Sequence, residues 1–495
     1  MRGVPSGIPI VRGYALRLGA SISGPHSGRI LHSRAARLLA AAVMPQHKCQ
    51  GGLIQRGVMT RSVEEHQQAV LGLLRYSSAF ADGAPEILPL ATARGRVLAE
   101  DLLSPVNLPP FDNSQMDGYA VHGDDLDGSA PLYLAVAPPV PAGAEPVALE
   151  PGHAAPIMTG AMIPEGAAAV VPIENAVPSQ FPTTGQYCGE EGLTVELPVA
   201  QAGSFIRRAG SDLEAGSVAL VAGTLLGPSQ LGLLAACGLA TVPVRPRFRV
   251  LLLSTGDEVQ EPGTELAPGR IFDANTTLLT TALEEAGAHV QRHSVVADNP
   301  EELRGALQNI GGQVNLILST GGISQGAYEV VKQALADSSV EFLSVAMQPG
   351  GPQAIGTING VPFLGFPGNP VSALVSFEMF LRPALGTVTG LPGNRVCLPA
   401  RLTEDVQSPE GKHQVRRGLY TDRSGQGEGI GDVTLLGGPG SHLLHALAAS
   451  NALVHLPAGT GTVEAGTPVA VWLLGELRQG AQPLHPGNPT REALT

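Results

Sequence analysis

The chain has 495 residues, 43% of them hydrophobic, and a formal net charge of -13 at pH 7. One hydrophobic core cannot serve a chain of this length, so we expect about three or four domains. The acidic balance excludes a general nucleic-acid-binding protein, because such a protein needs a basic surface. The 63 glycines and 42 prolines predict many turns and short strands, and hence β-rich parts beside any α/β part.

The first 58 residues differ from the rest, because they contain eight arginines and lysines and no acidic residue. The remaining chain contains 22 of the 30 basic residues and all 43 acidic residues, and therefore has a net charge of -21. Such a composition is found in transit peptides, but it also fits a disordered extension or a mis-called start with the first domain opening at Met59, and we favour these two interpretations. The apolar stretch 35–44 is too short to cross a bilayer, and no membrane segment is predicted.

The four cysteines are far apart in the chain and form no CxxC pair; they are Cys49, Cys188, Cys237 and Cys397. This spacing argues against a structural zinc site and predicts no disulfide framework. We therefore expect a reducing, cytoplasmic location.

Ordered structure is predicted to begin at Ser62. Ser62 and Glu65 fit a capping box, and apolar residues then recur at helical spacing as far as Leu74. Between residues 88 and 208, short apolar runs broken by proline and glycine predict a β-rich segment. A short helix that ends at glycine is predicted at 229–238.

Strands and helices alternate between residues 248 and 385. Strands are predicted at 249–254, 289–295, 314–319, 341–346 and 362–366. Helices are predicted at 275–287 with Asn275 as the cap, after Asn299, at 328–336 and at 369–385. This alternation predicts a parallel, doubly wound sheet, whose ligands bind beyond the carboxyl ends of its strands.

The segment after residue 392 changes character again. Short alternating runs such as 453–456 and 469–474 predict a small β-barrel, with one helix at 441–449. The glycines at 425, 427 and 429 follow no Rossmann strand, so we expect a hairpin loop there and no nucleotide site. The tail after residue 480 is predicted to be disordered.

Three of the predicted strands end in loops of small residues. Small residues let backbone amides approach a ligand, and the helix that follows the last loop adds a positive dipole end. A single loop of this kind is usually only a tight turn, so the coincidence of three is what predicts a phosphate cradle. The loop residues are Ser254, Thr255 and Gly256; Ser319, Thr320, Gly321, Gly322 and Ser324; and Pro367, Gly368, Asn369, Pro370 and Ser372.

Acidic residues lie close to these loops in the sequence, at Asp257, Glu258, Asp273, Asp298 and Glu329. Phosphate loops beside clustered acids are typical of a bridging Mg²⁺, because carboxylates alone would repel the anion. Taken alone, Asp298 also fits the acid that commonly precedes a helix cap.

One segment of the β-rich part resembles a known signature. Residues 111–121 read Phe-Asp-Asn-Ser-Gln-Met-Asp-Gly-Tyr-Ala-Val. They are similar to the FDNSxMDGYAV signature of the MoeA-type molybdopterin molybdotransferases, the family that includes the C-terminal part of gephyrin. Further segments match in family order, and the resemblance extends over residues 60–474; these segments are 157–161, 207–212, 254–258, 319–324 and 365–372.

The resemblance implies a doubly wound molybdopterin-binding α/β domain with a β-rich insertion domain, a helical linker and a C-terminal β-barrel. It also implies a transferase of molybdenum cofactor biosynthesis, which inserts molybdate as substrate into adenylylated molybdopterin and releases AMP. We expect a homodimer with shared active sites and no nucleic-acid or membrane partner. The expected limits are 59–102 and 214–244 for the linker, 103–213 for the β-rich domain, 245–390 for the α/β domain, 391–478 for the barrel and 479–495 for the tail.

Site residues follow from the same resemblance. Asp117, Asp212, Glu258 and Asp298 correspond to catalytic acids that line one cleft in the family. Asp298 and Glu329 correspond to the residues that hold Mg²⁺.

The C-terminal domain contributes two further residues by the same comparison. Arg417 and Ser441 correspond to residues implicated in oxyanion handling, and in family dimers this domain completes the partner's cleft. An arginine suits this task because its guanidinium fork binds a tetrahedral oxyanion through paired donors.

The chain departs from the family pattern in one loop. Many members have two lysines in a KPGKP sequence, whereas this chain has Gln348-Pro349-Gly350-Gly351-Pro352. The loss of two cations motivates one alternative, a catalytically impaired regulatory or scaffold paralogue of the same fold. A single-domain pterin adenylyltransferase is a weaker alternative, because it explains only the α/β segment. The retained acids favour the active transferase.

Overall fold

The computed structural model describes residues 60–75, 83–127, 130–182, 192–256, 258–296, 300–308, 314–323, 330–336, 338–423 and 430–475. The predicted amino-terminal extension, the hairpin glycines 425–429 and the carboxyl-terminal tail lie outside these ranges. The same holds for four residues of the predicted site region, Asp257, Asp298, Ser324 and Glu329.

Strand β1 (Thr60–Arg61) and helix α1 (Val63–Arg75) come first. The capping box forms as predicted: the Glu65 backbone N–H donates to Ser62 Oγ at 3.1 Å, and the Ser62 N–H donates to Glu65 Oε2 at 2.8 Å. The apolar stripe of α1 is buried among residues of the α/β core, which explains why this short helix is stable.

Residues 83–244 form a β-rich region, as the breaker pattern predicted. The first and last strands pair antiparallel as β2–β12, β3–β11 and β4–β10, which form three separate two-stranded sheets. Between them, a five-stranded sheet has the order β8-β5-β7-β6-β9 and packs a separate apolar cluster on each face. The elements are β2 (Glu86–Pro89), β3 (Leu102–Leu103), β4 (Asn113–Ser114), β5 (Gly118–His122), β6 (Leu132–Val136), β7 (His153–Ile157), β8 (Ala167–Pro172), β9 (Thr194–Leu197), β10 (Ile206–Arg207), β11 (Val218–Leu220), α2 (Pro228–Ala236) and β12 (Thr241–Val244).

Residues 249–389 form an α/β domain around a seven-stranded sheet of order β1-β18-β20-β21-β17-β13-β16. Its elements are β13 (Arg249–Thr255), β14 (Val259–Gln260), β15 (Ile271–Phe272), α3 (Ala274–Glu285), β16 (His289–Val296), α4 (Pro300–Gln308), β17 (Leu316–Thr320), α5 (Val330–Ala334), β18 (Glu341–Val345), β19 (Met347–Gln348), β20 (Pro352–Ile358), β21 (Val361–Phe366), α6 (Pro370–Ser376), a π-helical turn (Phe377–Leu381) and α7 (Arg382–Thr389).

Helices cover both faces of this sheet, so the predicted doubly wound fold is confirmed. Alternate residues of β13 enter two different cores: Val250 packs with α1, α3, α6 and α7, and Leu251 packs with α4 and α5. The segment Pro370–Thr389 is apolar enough and long enough to span a membrane, but 72% of that window is buried inside the protein. Burial of this extent is typical of a core helix.

The predicted parallel sheet contains one antiparallel strand, which the sequence pattern missed. β16, β13, β17 and β21 are parallel, whereas β20 runs antiparallel to both β21 and β18. β20 was missed because it starts at a proline after two glycines and contains Gly356, all poor strand formers. A hairpin signal was present in Asn359-Gly360, whose positive φ angles of 50° and 81° join β20 to β21.

The C-terminal region forms the predicted barrel. Five strands close in the order β24-β25-β22-β28-β26, with β26 pairing back to β24. Strand β19 of the preceding region pairs with β24 and so connects the α/β domain to the barrel. The elements are β22 (Cys397–Leu402), β23 (Val406–Gln407), β24 (His413–Thr421), β25 (Gly431–Leu435), α8 (Leu444–Ala448), β26 (Ala452–Leu456), β27 (Thr462–Val463) and β28 (Pro468–Leu473).

Candidate active site

The three predicted loops meet at the carboxyl ends of β13, β17 and β21. The strands are in register there, because Ser254 lies beside Thr320 and Thr320 lies beside Phe366. Two hydrogen bonds then join the loops: Thr320 Oγ1 donates to the Pro367 carbonyl at 3.3 Å, and the Gly321 N–H donates to the Phe366 carbonyl at 3.1 Å. We call this group of loops the cradle.

Glycine is required where the first and second loops of the cradle touch. Gly321 and Gly322 have φ angles of +90° and +63°. A Cβ on Gly321 would lie 2.7 Å from the Thr255 carbonyl oxygen, so a side chain there would push the two loops apart. Gly368 of the third loop has more room, since its Cβ would lie 3.4 Å from the Gly321 Cα.

Asn275 links the cradle to helix α3 and was not predicted as a site residue. Its Nδ2 donates to Thr320 Oγ1 at 3.0 Å and to the Gly368 carbonyl at 2.6 Å. The prediction that Asn275 caps this helix is wrong. Asp273 caps α3 by accepting from the Thr276 N–H and hydroxyl, which leaves the Asn275 side chain free to reach the loops. Asp273 and Asn275 are both residue types that cap helices and stand two positions apart, and this spacing is a sequence signal that one of them has another role.

Three polar atoms of the cradle are buried and have no hydrogen-bond partner among the described residues: Thr255 Oγ1, Ser319 Oγ and Asn275 Oδ1. Ser319 and Thr255 are 1% and 5% exposed. Leaving a buried polar atom unpaired costs about 1–3 kcal/mol, so three at one sheet edge are best explained by a ligand that completes their hydrogen bonds.

The acids near the cradle do not by themselves form a metal site. Glu258 is exposed, and its side chain folds back over the first loop. A Cβ on Gly256 would lie only 2.8 Å from the Glu258 carboxylate. Both oxygens of Asp273 are used in capping α3. Within the described ranges, no group of three or more His, Cys, Asp or Glu side chains could hold a metal ion. A magnesium site would therefore depend on Asp298 and Glu329, outside those ranges.

The matched segments of the β-rich domain form a second group. Strand β4 pairs with β10, which places Asn113 beside Arg207. The Ser114 N–H donates to the Ala161 carbonyl at 3.0 Å, and the Gly160 N–H donates to the Ser114 carbonyl at 2.9 Å. Three stretches that are far apart in sequence thus interlock, and we call them the motif cluster (residues 111–117, 158–163 and 205–212).

Two aspartates of the motif cluster are held in their ionised form. Hydrogen bonds from the Thr159 N–H at 2.7 Å and hydroxyl at 2.8 Å lower the pKa of Asp117 below its usual value. A hydrogen bond from the Ala209 N–H, together with Arg208, lowers the pKa of Asp112. Asp117 and Asp212 are both exposed.

Arg417 lies in the barrel, where it holds a loop of the same domain. It is only 1% exposed, and its guanidinium donates to the Gly440 carbonyl at 3.1 Å and to the Gly438 carbonyl. Its neighbour Arg416 donates to the Gly437 carbonyl at 2.8 Å. Burial and the charge of Arg416 lower the pKa of Arg417. The two arginines hold the loop that leads into half-buried Ser441, so Arg417 and Ser441 are brought together.

The loop without lysines lies against the same barrel strand. Gln348 pairs with Gln414 of β24, and Gln414 Nε2 donates to Gln348 Oε1 at 2.8 Å. Gly351 has space for a side chain, since the nearest atom to its Cβ would be the Val345 carbonyl oxygen at 3.4 Å.

Comparison with known proteins identifies the family. The MoeA N-terminal region (domain I and II) matches residues 61–238, the probable molybdopterin binding domain matches residues 252–387, and the MoeA C-terminal region (domain IV) matches residues 399–474.

Whole relatives match over nearly their full length. Molybdopterin molybdenumtransferase 2 of Mycobacterium tuberculosis is 42% identical over 424 residues, which is 83% of this chain and 99% of that protein. The molybdopterin molybdenumtransferase of Haemophilus influenzae is 36% identical over 392 residues, 78% of this chain and 93% of its own. A crystal structure of the molybdopterin biosynthesis MoeA protein from Pyrococcus horikoshii has a TM-score of 0.68 at 28% identity, covering 84% of this chain and 100% of that one. The chain therefore belongs to the MoeA family of molybdopterin molybdenumtransferases.

Proposed function

We propose that this chain is an active molybdopterin molybdenumtransferase, which inserts molybdate into adenylylated molybdopterin and releases AMP during molybdenum cofactor biosynthesis. The observation that carries the proposal is the cradle, with three buried polar atoms that lack partners. Relatives named molybdopterin molybdenumtransferase support the same reaction.

The cradle would hold the phosphates of the substrate. The hydroxyls of Thr255 and Ser319 can donate to phosphate oxygens, and the glycines leave the loop backbone open to close approach. Asn275 Oδ1 is an acceptor, so it suits an N–H group of the pterin or the nucleotide better than a phosphate. The cradle thus combines donors and one acceptor, as a ligand with phosphates and a heterocycle requires.

Asp117 would bind and orient the substrate, and general base catalysis is a poor assignment for it. A carboxylate whose pKa lies below its usual value is a weak base, so Asp117 stays anionic and accepts hydrogen bonds. We propose that Asp117 and Asp212 of one chain face the cradle and Glu258 of a second chain in a homodimer. Arg417 would act by holding the 437–440 loop, so that Ser441 and the loop backbone contact molybdate.

We further propose a Mg²⁺ requirement, with Asp298 and Glu329 as the ligands. When bound, the ion neutralises negative charge between the substrate phosphates and the acids of the cleft. The domain limits given above and a cytoplasmic location also remain proposals.

The test is reconstitution with the purified full chain, adenylylated molybdopterin, Mg²⁺ and molybdate. AMP release and activation of an apo-molybdoenzyme are measured. We expect both for the parent chain and a drop of at least tenfold for Gly368→Asp, which places a carboxylate in the cradle at a position with room for a Cβ.

Gly411→Asp is the matched control, because Gly411 is an exposed loop glycine with open space around its Cβ. It should behave like the parent. Full activity of Gly368→Asp would remove the cradle from the reaction. A parent chain that binds adenylylated molybdopterin and makes no cofactor would favour the impaired paralogue that the missing lysines raise.

A further inference from the structure

A cavity of about 850 Å³ lies at the opposite edge of the α/β sheet from the cradle. Phe248 lines it, directly before the amino end of β13, whereas the cradle follows the carboxyl end of the same strand. Its walls come from residues 94–97, Leu225, residues 245–248, the ends of α3 and α7, the segment 391–398, and the barrel near Leu473. A volume of this size fits a small organic ligand.

The cavity is lined by many more cations than anions. Two glutamates, Glu284 and Glu285, face six arginines. An adjoining cavity of about 550 Å³ shares Arg96 and Arg247 and adds Arg249, His289 and one carboxylate, Glu86. These two cavities therefore gather seven of the 22 basic residues that follow residue 58, in a stretch of chain with a net charge of -21. The six arginines of the first cavity are Arg94, Arg96, Arg245, Arg247, Arg382 and Arg395.

Three of these arginines have structural partners. Arg382 and Arg395 both pair with Glu378, at 2.9 and 2.8 Å, and with Glu285, at 3.3 and 2.7 Å. The Glu378 side chain is fully buried, so it needs both cations. Arg96 pairs with Glu86 at 2.8 Å. These ion pairs give the three arginines a structural role, which accounts for their presence in the cavity wall.

The other three arginines have no ion pair that would give them such a structural role. The guanidinium groups of Arg94 and Arg247 are exposed and have no ion-pair or hydrogen-bond partner among the described residues. Among the described residues, the Arg245 guanidinium donates only to the Thr389 carbonyl, at 3.4 Å. Uncompensated cations around a partly enclosed cavity attract an anion more strongly than the same charges on an open surface.

The same cavity also offers apolar surface. Val97, Leu225, Phe248, Leu391, Val396 and Leu398 line it between the arginines. A purely inorganic anion would leave this surface unused. The occupant that fits is an anion with an apolar or aromatic body.

We propose that this cavity is a second ligand site, separate from the cradle, for an organic phosphate of the nucleotide class. The phosphate lies between Arg94, Arg245 and Arg247, and the body of the ligand packs on the apolar wall. Because the two sites are at opposite edges of the sheet, both can be filled at once.

The test is calorimetric titration of the full chain with ADP. The parent should bind two ADP molecules per chain, and Gly368→Asp, which blocks the cradle, should bind one. Adding Arg94→Glu and Arg247→Glu to Gly368→Asp should weaken that remaining binding at least tenfold. Lys412→Glu, a charge reversal at an exposed barrel residue, is the matched control and should leave it unchanged.

A second variant guards against indirect effects. Val396→Trp, at a position 60% exposed, fills the cavity and leaves the arginines in place, so it should cause a similar loss. Pyrophosphate, which has no apolar body, should bind at least tenfold more weakly than ADP. The proposal is overturned if the arginine variant binds like Lys412→Glu, if Val396→Trp has no effect, or if pyrophosphate matches ADP. The Val396→Trp and pyrophosphate titrations also use the Gly368→Asp chain, so the cradle is blocked in every arm except the parent titration, and these outcomes are independent of the transferase proposal.

Discussion

The cradle and the 437–440 loop of the barrel differ in which groups are polar and in which hydrogen bonds those groups make. The cradle has no basic side chain among its described residues, and three of its buried polar atoms lack partners. The barrel loop has two buried arginines whose terminal guanidinium nitrogens donate to the backbone carbonyls of Gly437, Gly438 and Gly440, while the Nε atoms of both have no partner among the described residues. Charge alone is therefore a poor guide to which group binds a ligand. The cradle is the better candidate, because its unpaired atoms lie together where three strands end, and its loop glycines leave the backbone open to a ligand.

The cradle should fail when its loops are forced apart. Gly321→Ala adds a Cβ 2.7 Å from the Thr255 carbonyl oxygen, at a φ of +90°. We expect AMP release to fall at least a hundredfold, because a displacement of about 1 Å in a site costs on this order.

Gly143→Ala is the control that separates the effect of backbone strain from the effect of contact between the cradle loops. Gly143 has a φ of +85° and open space around its Cβ, so both variants pay a similar backbone cost of about 1 kcal/mol. The control should lose stability and keep its activity. Equal activity of the two variants would mean that contact between the loops does not matter.

Adding positive charge beside β24 tests whether charged side chains in this region stabilise bound molybdate. Gln348→Lys and Gly351→Lys together restore the lysines common in the family, and Gly351 has room for the side chain. Each lysine should stabilise bound molybdate by on the order of 1 kcal/mol after the cost of its desolvation. The half-saturating molybdate concentration should then fall about ten- to a hundredfold. An unchanged molybdate requirement in AMP-release assays would show that this loop does not contact molybdate.

A buried atom without a partner can also belong to the core, and His66 is such a case. His66 is 0% exposed, neither ring nitrogen has a partner among the described residues, and its ring packs edge-on against Phe380. Burial, with the charge of Arg61, lowers the pKa of His66 from 6.5 to about 4. The unfolded chain therefore binds a proton more readily between these values, and stability falls as the pH drops below 6.5.

His66→Leu should remove this acid sensitivity. At pH 5 the variant should gain about 2 kcal/mol over the parent in the free energy of unfolding, relative to the difference at pH 8. Denaturant titrations at both pH values measure it, and His445→Leu at an exposed position is the control. If the gain is the same at both pH values, protonation of His66 is not what destabilises the parent.

The meeting of the three cradle loops could be predicted from the sequence because it depends on local patterns along the chain. Strand ends, small residues and strand order together fix where Ser254, Thr320 and Pro367 lie, and parallel strands bring their carboxyl ends to one edge. What it missed depends on three-dimensional contacts. The link from Asn275 to the loops spans 45 residues to Thr320 and 93 to Gly368, and no local pattern indicates it. Likewise, nothing near Arg417 in sequence shows that its donors are taken by a loop 21 and 23 residues away.

The measurement that bears most directly on a shared site is complementation between two inactive chains. Gly368→Asp disables the cradle, and Asp117→Ala disables the motif cluster, so each chain alone should make little cofactor. If the site combines the cradle of one chain with the motif cluster of its partner, one site in each hybrid dimer is intact. Equal mixing after dissociation should then recover about a quarter of the parent AMP release, since about half of the dimers are hybrids. No recovery, with hybrid dimers shown by native mass spectrometry, would contradict a site built from two chains.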